Sequence, residues 1–312
     1  MKKMFYFNNQ KGKIKIKQKY FFLFFELIIV FLKITLIESV TLKKIRKLND
    51  NYSEIKLVIL VPEGIYSRNY NIKILNDQFS PLPSQVLVNG EIRNDCNKTC
   101  GLTNGIYNVT LRFENQINSS FLMFFGLNNI IEADLSYFDA SKVNSMAAMF
   151  AYCKKLEKIN FGNINTFSVK TMESLFFGCE NLISIDLSNL DTSNVKTMRT
   201  MFYECSSIGK INFGNINTSS VESMEALFQR CSNLISIDLS NFNTSNVKTM
   251  EAMFCECPKL KYLDLSNFNT QEVTTILDMF YKCQSLIFLN LKNFQIRLTV
   301  DTNMLFMKYL DM

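Results

Sequence analysis

From about residue 119 to its end, the chain repeats its apolar residues in steps of 26. Phe150, Phe176, Phe202, Phe228, Phe254 and Phe280 are each followed three places later by Cys153, Cys179, Cys205, Cys231, Cys257 and Cys283. Met149, Leu175, Met201, Leu227, Met253 and Met279 precede the phenylalanines, and Val143, Val169, Val195, Val221, Val247 and Val273 lie upstream. Such strict spacing predicts stacked, near-identical units rather than one globule. At about 100° per residue, Val195, Met198, Met201, Phe202 and Cys205 share an arc of about 120°, one face of a helix. Thr192 and Ser193 are placed to cap it, Ser219 with Glu222 has capping-box spacing, and Pro258 marks a stop. Ile185-Asp186-Leu187 alternates like a half-buried strand. Stacked at about 4.8 Å, such strands make a parallel sheet. The predicted class is α/β: a solenoid of strand–turn–helix units with a parallel sheet on one face.

Upstream, 54–61, 85–88 and 108–113 read as strands, and Asn89-Gly90 is a hairpin signal. A solenoid end exposes core and an open sheet edge, so this segment is expected to cap the first repeat. An independent ligand-binding module is the competing reading. The domain division is 1–40, a signal peptide or signal anchor; 41–118, a small β-rich N-terminal cap; and 119–312, the 26-residue units. The first segment carries seven lysines and no acid over residues 1–19, then an apolar run from Tyr20 to Leu32. That run has the length of a signal-peptide core and falls short of the roughly 20 residues that span a bilayer. An uncleaved anchor and a buried helix are the alternatives. Met304, Leu305, Phe306 and Met307 take the next helical position. There the stack ends on its own helix, continues in a longer chain, or meets another subunit.

The repeat string M-F-x-x-C-x-x-L-x-x-I-D-L-S-N-F-x-T-S-x-V-x-x-M, as in Met201–Cys205 and Leu234–Met250, resembles the BspA-like leucine-rich repeat surface-protein family. The resemblance covers about residues 119–312. It implies a leucine-rich-repeat solenoid that is secreted or at a cell surface, with roles in adhesion or binding and no catalytic residue to carry over. The units reading I-N-F-G-N depart from the string at its Asp and Ser.

Charge changes the picture little. The net charge is +6, but beyond residue 40 basic and acidic residues balance. A neutral body argues against a nucleic-acid partner, which needs a net basic face. Absence of histidine excludes Ser–His–Asp and Cys–His nucleophile pairs and His-ligated metals. No cofactor is expected.

The ladder cysteines fall on the apolar face and read as buried free thiols; disulfides between helices 8–10 Å apart would strain. Cys255 breaks the pattern and reads as a part-exposed thiol. Cys96 and Cys100 stand in a polar loop. In a secreted chain they pair; in a cytosolic one they stay reduced. Asn51, Asn97, Asn108, Asn118, Asn217 and Asn243 are candidate glycosylation sites. Turn columns of asparagine (Asn163, Asn189, Asn215, Asn241, Asn267, Asn293) and threonine (Thr166, Thr192, Thr218, Thr244, Thr270) read as structural.

The exposed strand columns remain: Lys158, Ser184, Lys210, Ser236, Tyr262, Phe288, and beside them Asn160, Asp186, Asn212, Asp238, Asp264, Asn290. Tyr262 and Phe288 are the most suggestive contacts, with Asp186, Asp238 and Asp264 beside them. The expected function is a secreted or cell-surface interaction or adhesion protein. It would bind a protein or surface glycan, and a membrane only through an uncleaved N-terminal segment. An intracellular scaffold and, more remotely, a carboxylate-based hydrolase using the Asp column are the alternatives. The units also alternate: 159–166 and 211–218 read I-N-F-G-N-I-N-T, while 185–192 and 237–244 read I-D-L-S-N-[LF]-[DN]-T. The step of 26 therefore sits inside one of 52.

Overall fold

The computed structural model describes residues 4–9, 12–17, 52–63 and 70–295. The apolar run at 20–32, Asn51 and the segment 304–307 lie outside these residues. Two compact units, Met1–Asn51 and Tyr52–Met312, divide the chain. In the first, β1 (Met4–Asn9) and β2 (Gly12–Lys17) pair antiparallel. Among the described residues no helix is long and apolar enough to cross a membrane.

The second unit opens with β3 (Ser53–Val61), β4 (Tyr70–Lys73), β5 (Gln85–Val88), β6 (Glu91–Ile92), β7 (Thr99–Leu102) and β8 (Gly105–Phe113). Alternate residues of β3, Ile55, Leu57 and Ile59, point into the core and are fully buried. β5 and β6 turn on Asn89 and Gly90, whose φ values of 51° and 88° are those a two-residue type I′ hairpin requires. Then follow β9 (Ile130–Tyr137), β10 (Lys158–Asn160), β11 (Ser184–Asp186), β12 (Lys210–Asn212), β13 (Tyr262–Asp264) and β14 (Phe288–Asn290). The main sheet runs β10-β9-β3-β8-β5-β6. β3 lies antiparallel to both β8 and β9, so the upstream segment continues the sheet of the first coil. β4 pairs with β7 apart from it.

The expected helices do not form: among the described residues there is none, and the α/β class with strand–turn–helix units is corrected accordingly. The backbone hydrogen bonds show why. An α-helix needs each N–H to reach the carbonyl four residues back. Here Met198, Thr200, Phe202 and Glu204 donate instead to Ser223, Glu225, Leu227 and Gln229 of the next coil. The residues between them, Met201 and Tyr203, close short turns onto Met198 and Thr200. Thr200 and Glu204 are left-handed, with φ of 52° and 58°, and each breaks helical continuation. Chained turns place Val195, Met198, Met201, Phe202 and Cys205 inward as a helix would, because a turn also returns the chain every three to four residues. Thr192, Ser193, Ser219 and Glu222 therefore cap no helix, and Pro258 stops none. Asp191 and Asn217 accept the N–H and hydroxyl of Ser193 and Ser219 in local turns.

Nor is there one continuous parallel sheet. β9–β10 closes the main sheet while β11–β12 and β13–β14 pair in twos, and at the strand position the coil between β12 and β13 contributes only a single bridge, Ser236 to Tyr262. Continuity comes from the turn side, where parallel bridges run from Ser145 through Thr171, Thr197, Ser223 and Thr249 to Thr275, and from the core. The rings of Phe124, Phe150, Phe176, Phe202, Phe228, Phe254 and Phe280 stack in succession, with centroids 5.2–6.0 Å apart. Beside this spine the buried hydroxyl of each threonine from Thr166 to Thr270 donates to a carbonyl 25 residues on, as Thr218 does to Asn243 at 2.8 Å. Asn189 and Asn241 donate to Gly162 and Gly214 of the preceding coil.

The 52-residue alternation has a steric basis. Gly162 and Gly214 are left-handed, with φ of 55° and 54°. A Cβ on either would stand 2.5 Å from the Cβ of Ser136 or Ser188 in the coil before. Only glycine meets both demands.

Candidate interaction surface

The strand face is built by alternation. In β13, Leu263 enters the core while Tyr262 and Asp264 project outward. Tyr262 pairs in register with Phe288 of β14, and Asp264 with Asn290. The two aromatic side chains are half exposed, at 51% and 50%, side by side on adjacent strands. Ile235 and Ile287, one residue upstream of the strand positions, are also exposed at this end.

The acidic column is tied to the backbone. Asp186 accepts the N–H of Ser188 at 2.9 Å, Asp238 that of Ser240 at 3.0 Å, and Asp264 that of Ser266 at 2.8 Å. Asn160, Asn212 and Asn290 make the same bond to Gly162, Gly214 and Lys292. Asp and Asn alternate there because either side-chain oxygen closes the turn. These bonds favour the charged form and hold all three carboxyls below their ordinary range: the Ser188 hydroxyl first for Asp186, the Ser240 backbone N–H for Asp238, the Ser266 hydroxyl for Asp264. At neutral pH they are fixed anions and cannot donate protons.

Two grooves accompany the face. One, of about 550 Å³, lies over β10 to β12, between Lys158, Ser184, Asp186, Lys210 and Asn212. The other, of about 440 Å³, follows the turn side. Its charged row, Glu204, Arg230, Glu256, Lys282, is one position of successive coils, with Arg230 paired to Glu204 at 2.6 Å and Glu256 at 2.7 Å. The guanidinium also stands over the Tyr203 ring, 5.5 Å from its centroid. Tyr203 in turn ends an aromatic row through Phe177, Tyr152 and Phe125. Sequence reading missed both rows, although the charged one is legible by comparing positions 26 apart; the aromatic one steps out of that register at Tyr152.

The cysteines divide as follows. A disulfide joins Cys96, in the loop after β6, to Cys100 within β7. Cys153, Cys179, Cys205, Cys231, Cys257 and Cys283 are free and buried, and each Sγ–H donates to the carbonyl of a phenylalanine 29 residues earlier, at 3.0–3.2 Å. Cys255, expected to be part-exposed, is buried with 5% exposure. It sits on the row of Phe177 and Tyr203, beneath Gln229, whose amide reaches its sulfur. Asn97, Asn108, Asn118, Asn217 and Asn243 are all exposed. Among the described residues no group of three or more acidic or cysteine side chains is placed to hold a metal.

A family model described as "Mycoplasma protein of unknown function, DUF285" matches residues 118–213 and again 207–311. No curated protein and no solved structure matches the chain.

Proposed function

The chain belongs to the DUF285 repeat family, and from that premise we propose that it is a non-enzymatic interaction protein that binds through the strand face of its coils. The observation that carries this reading is the in-register, half-exposed pair Tyr262 and Phe288. Rigid aromatics on a fixed scaffold supply large contact area at small entropic cost. The depressed Asp column supports the same reading against the hydrolase alternative, since a general acid needs a raised pKa.

The partner on this reading is a protein or a surface glycan, met outside the cell. The finer likeness to BspA-like surface proteins and the basic-then-apolar order of residues 1–32 support that location. The decisive experiment is binding of the full chain to cells or extracellular matrix. Combined Tyr262→Ala and Phe288→Ala should reduce binding about tenfold or more, two aromatic anchors being lost. Unchanged binding would remove this face from consideration. Immunodetection of the chain on intact cells tests the location; signal only after permeabilisation would favour a scaffold inside the cell.

A further inference from the structure

The end of the face around Tyr262 differs from the rest in charge as well as in aromatic content. Along the outward column, Asp134, Asn160, Asp186, Asn212 and Asp238 alternate acid with amide. The amides separate like charges and bridge them: Asn160 donates to Asp134 at 3.1 Å, and Asn290 to Asp264 at 3.2 Å. The alternation fails once. Asp238 and Asp264 occupy neighbouring coils, set in register by the bridge from Ser236 to Tyr262, with no amide between them. Neighbouring strand positions are about 5 Å apart, where like charges repel. Both carboxylates are fixed by their turn bonds to Ser240 and Ser266.

The cations of the outward strand column lie elsewhere. Lys158 faces Glu132 and Lys210 neighbours Asp186, both in earlier coils. Lys261, exposed and one residue before Tyr262, stands outside the strand column and makes no ion pair with Asp238 or Asp264 among the described residues. Two carboxylates in neighbouring coils, with no cation of the strand column between them, thus adjoin an exposed phenol ring, with Phe288 beyond it.

We propose that this surface docks an arginine-bearing extended segment of a partner protein, the guanidinium lying between Asp238 and Asp264 and against the Tyr262 ring. A guanidinium is planar, weakly hydrated and forked, so it bonds carboxylates and stacks on an aromatic face together. An ammonium relieves the charge without the stacking. A neutral sugar uses the ring and leaves the two anions opposed. The proposal rests on the strand face being a binding surface.

The test uses the full chain and a fluorescent decapeptide carrying arginine at three alternate positions in a Gly/Ser background. Its citrulline counterpart keeps the shape and loses the charge. Anisotropy should show the arginine peptide binding at least about fivefold tighter than the citrulline one, with lysine between them. Asp238→Asn and Asp264→Asn together should remove most of that preference. These variants keep the turn bond, as the asparagines at 160, 212 and 290 do, so unchanged thermal unfolding separates lost recognition from lost fold. Equal binding of the arginine and citrulline peptides overturns the proposal, as does an unaltered preference in the double variant. A Tyr262-dependent affinity for a neutral hexasaccharide, with none for the arginine peptide, overturns it in favour of a glycan. If cell binding is lost in the Tyr262/Phe288 variant but kept in the Asp238/Asp264 variant, the arginine proposal falls and the binding face stands. If both variants bind cells normally, the face itself falls.

Discussion

The hydroxyl of Thr218 is buried and holds two bonds to the next coil, donating to the carbonyl of Asn243 and accepting its N–H, each at 2.8 Å. Thr218→Val keeps the shape and strands both groups without solvent. It should destabilise the fold by about 1–3 kcal/mol in denaturant titration, whereas Thr218→Ser should recover most of the loss. The ladder thiols make a different prediction. Burial pushes Cys153 and Cys283 up to about 12, and the partly desolvated Cys255 to about 11. The unfolded chain ionises these groups first, near the ordinary value of 9.0. Their contribution to stability is therefore full below about pH 9 and is lost as pH rises toward 12. At pH 8 iodoacetamide should label none of the described free cysteines in the native chain and all of them after denaturation. The inward positions of these residues were legible in the 26-residue step. The carbonyl that each thiol meets was not, because it belongs to the coil before.

At the scale of the element, Gly214 offers the sharpest test. Gly214→Ala forces a left-handed alanine and drives its Cβ into Ser188. A cost of about 2 kcal/mol or more is expected, read as a lowered urea midpoint, and Ser188→Gly in the same chain should restore part of it. The element as a whole also shows where sequence reading stops. Val195, Met198, Met201, Phe202 and Cys205 satisfy a helical face and a chain of turns equally well. What separates the two is backbone handedness at Thr200 and Glu204, and neither residue type announces it. The column of Glu204 did hold a hint, in Gly126 and Gly178, which share its left-handed φ. The strands were easier: Ile185 between Ser184 and Asp186 alternates plainly, and Tyr262 and Phe288 stood out as departures from a Lys/Ser column. The two grooves depend on neighbouring coils in space, and only column-by-column comparison would have approached them.

For the whole stack the question is how its first coil ends. In later coils the carbonyls of Met149 and Ala151 accept N–H groups from the coil before. Met123 and Phe125 hold the same positions in the first coil, and Asn76 of the upstream segment satisfies them, through its backbone N–H at 2.9 Å and its amide Nδ2 at 3.1 Å. Asn76→Asp removes the side-chain donor and sets a negative oxygen against the Phe125 carbonyl. Thermal unfolding should shift down by several degrees, about 1–2 kcal/mol of stability, and more than for Asn76→Ala. Such a shift would show that the β-rich segment and the coils unfold together.

The buried thiol column finally bears on how such a chain is made. In the native stack its sulfurs are out of reach of any oxidant, and only Cys96 and Cys100 are joined. Before the coils close, every cysteine is open to exchange. In an oxidising compartment the growing chain is thus in a race: each coil must bury its sulfur before a neighbour's thiolate finds it. Refolding the denatured chain with oxidised glutathione should trap mismatched disulfides that the native chain, in the same buffer, never forms.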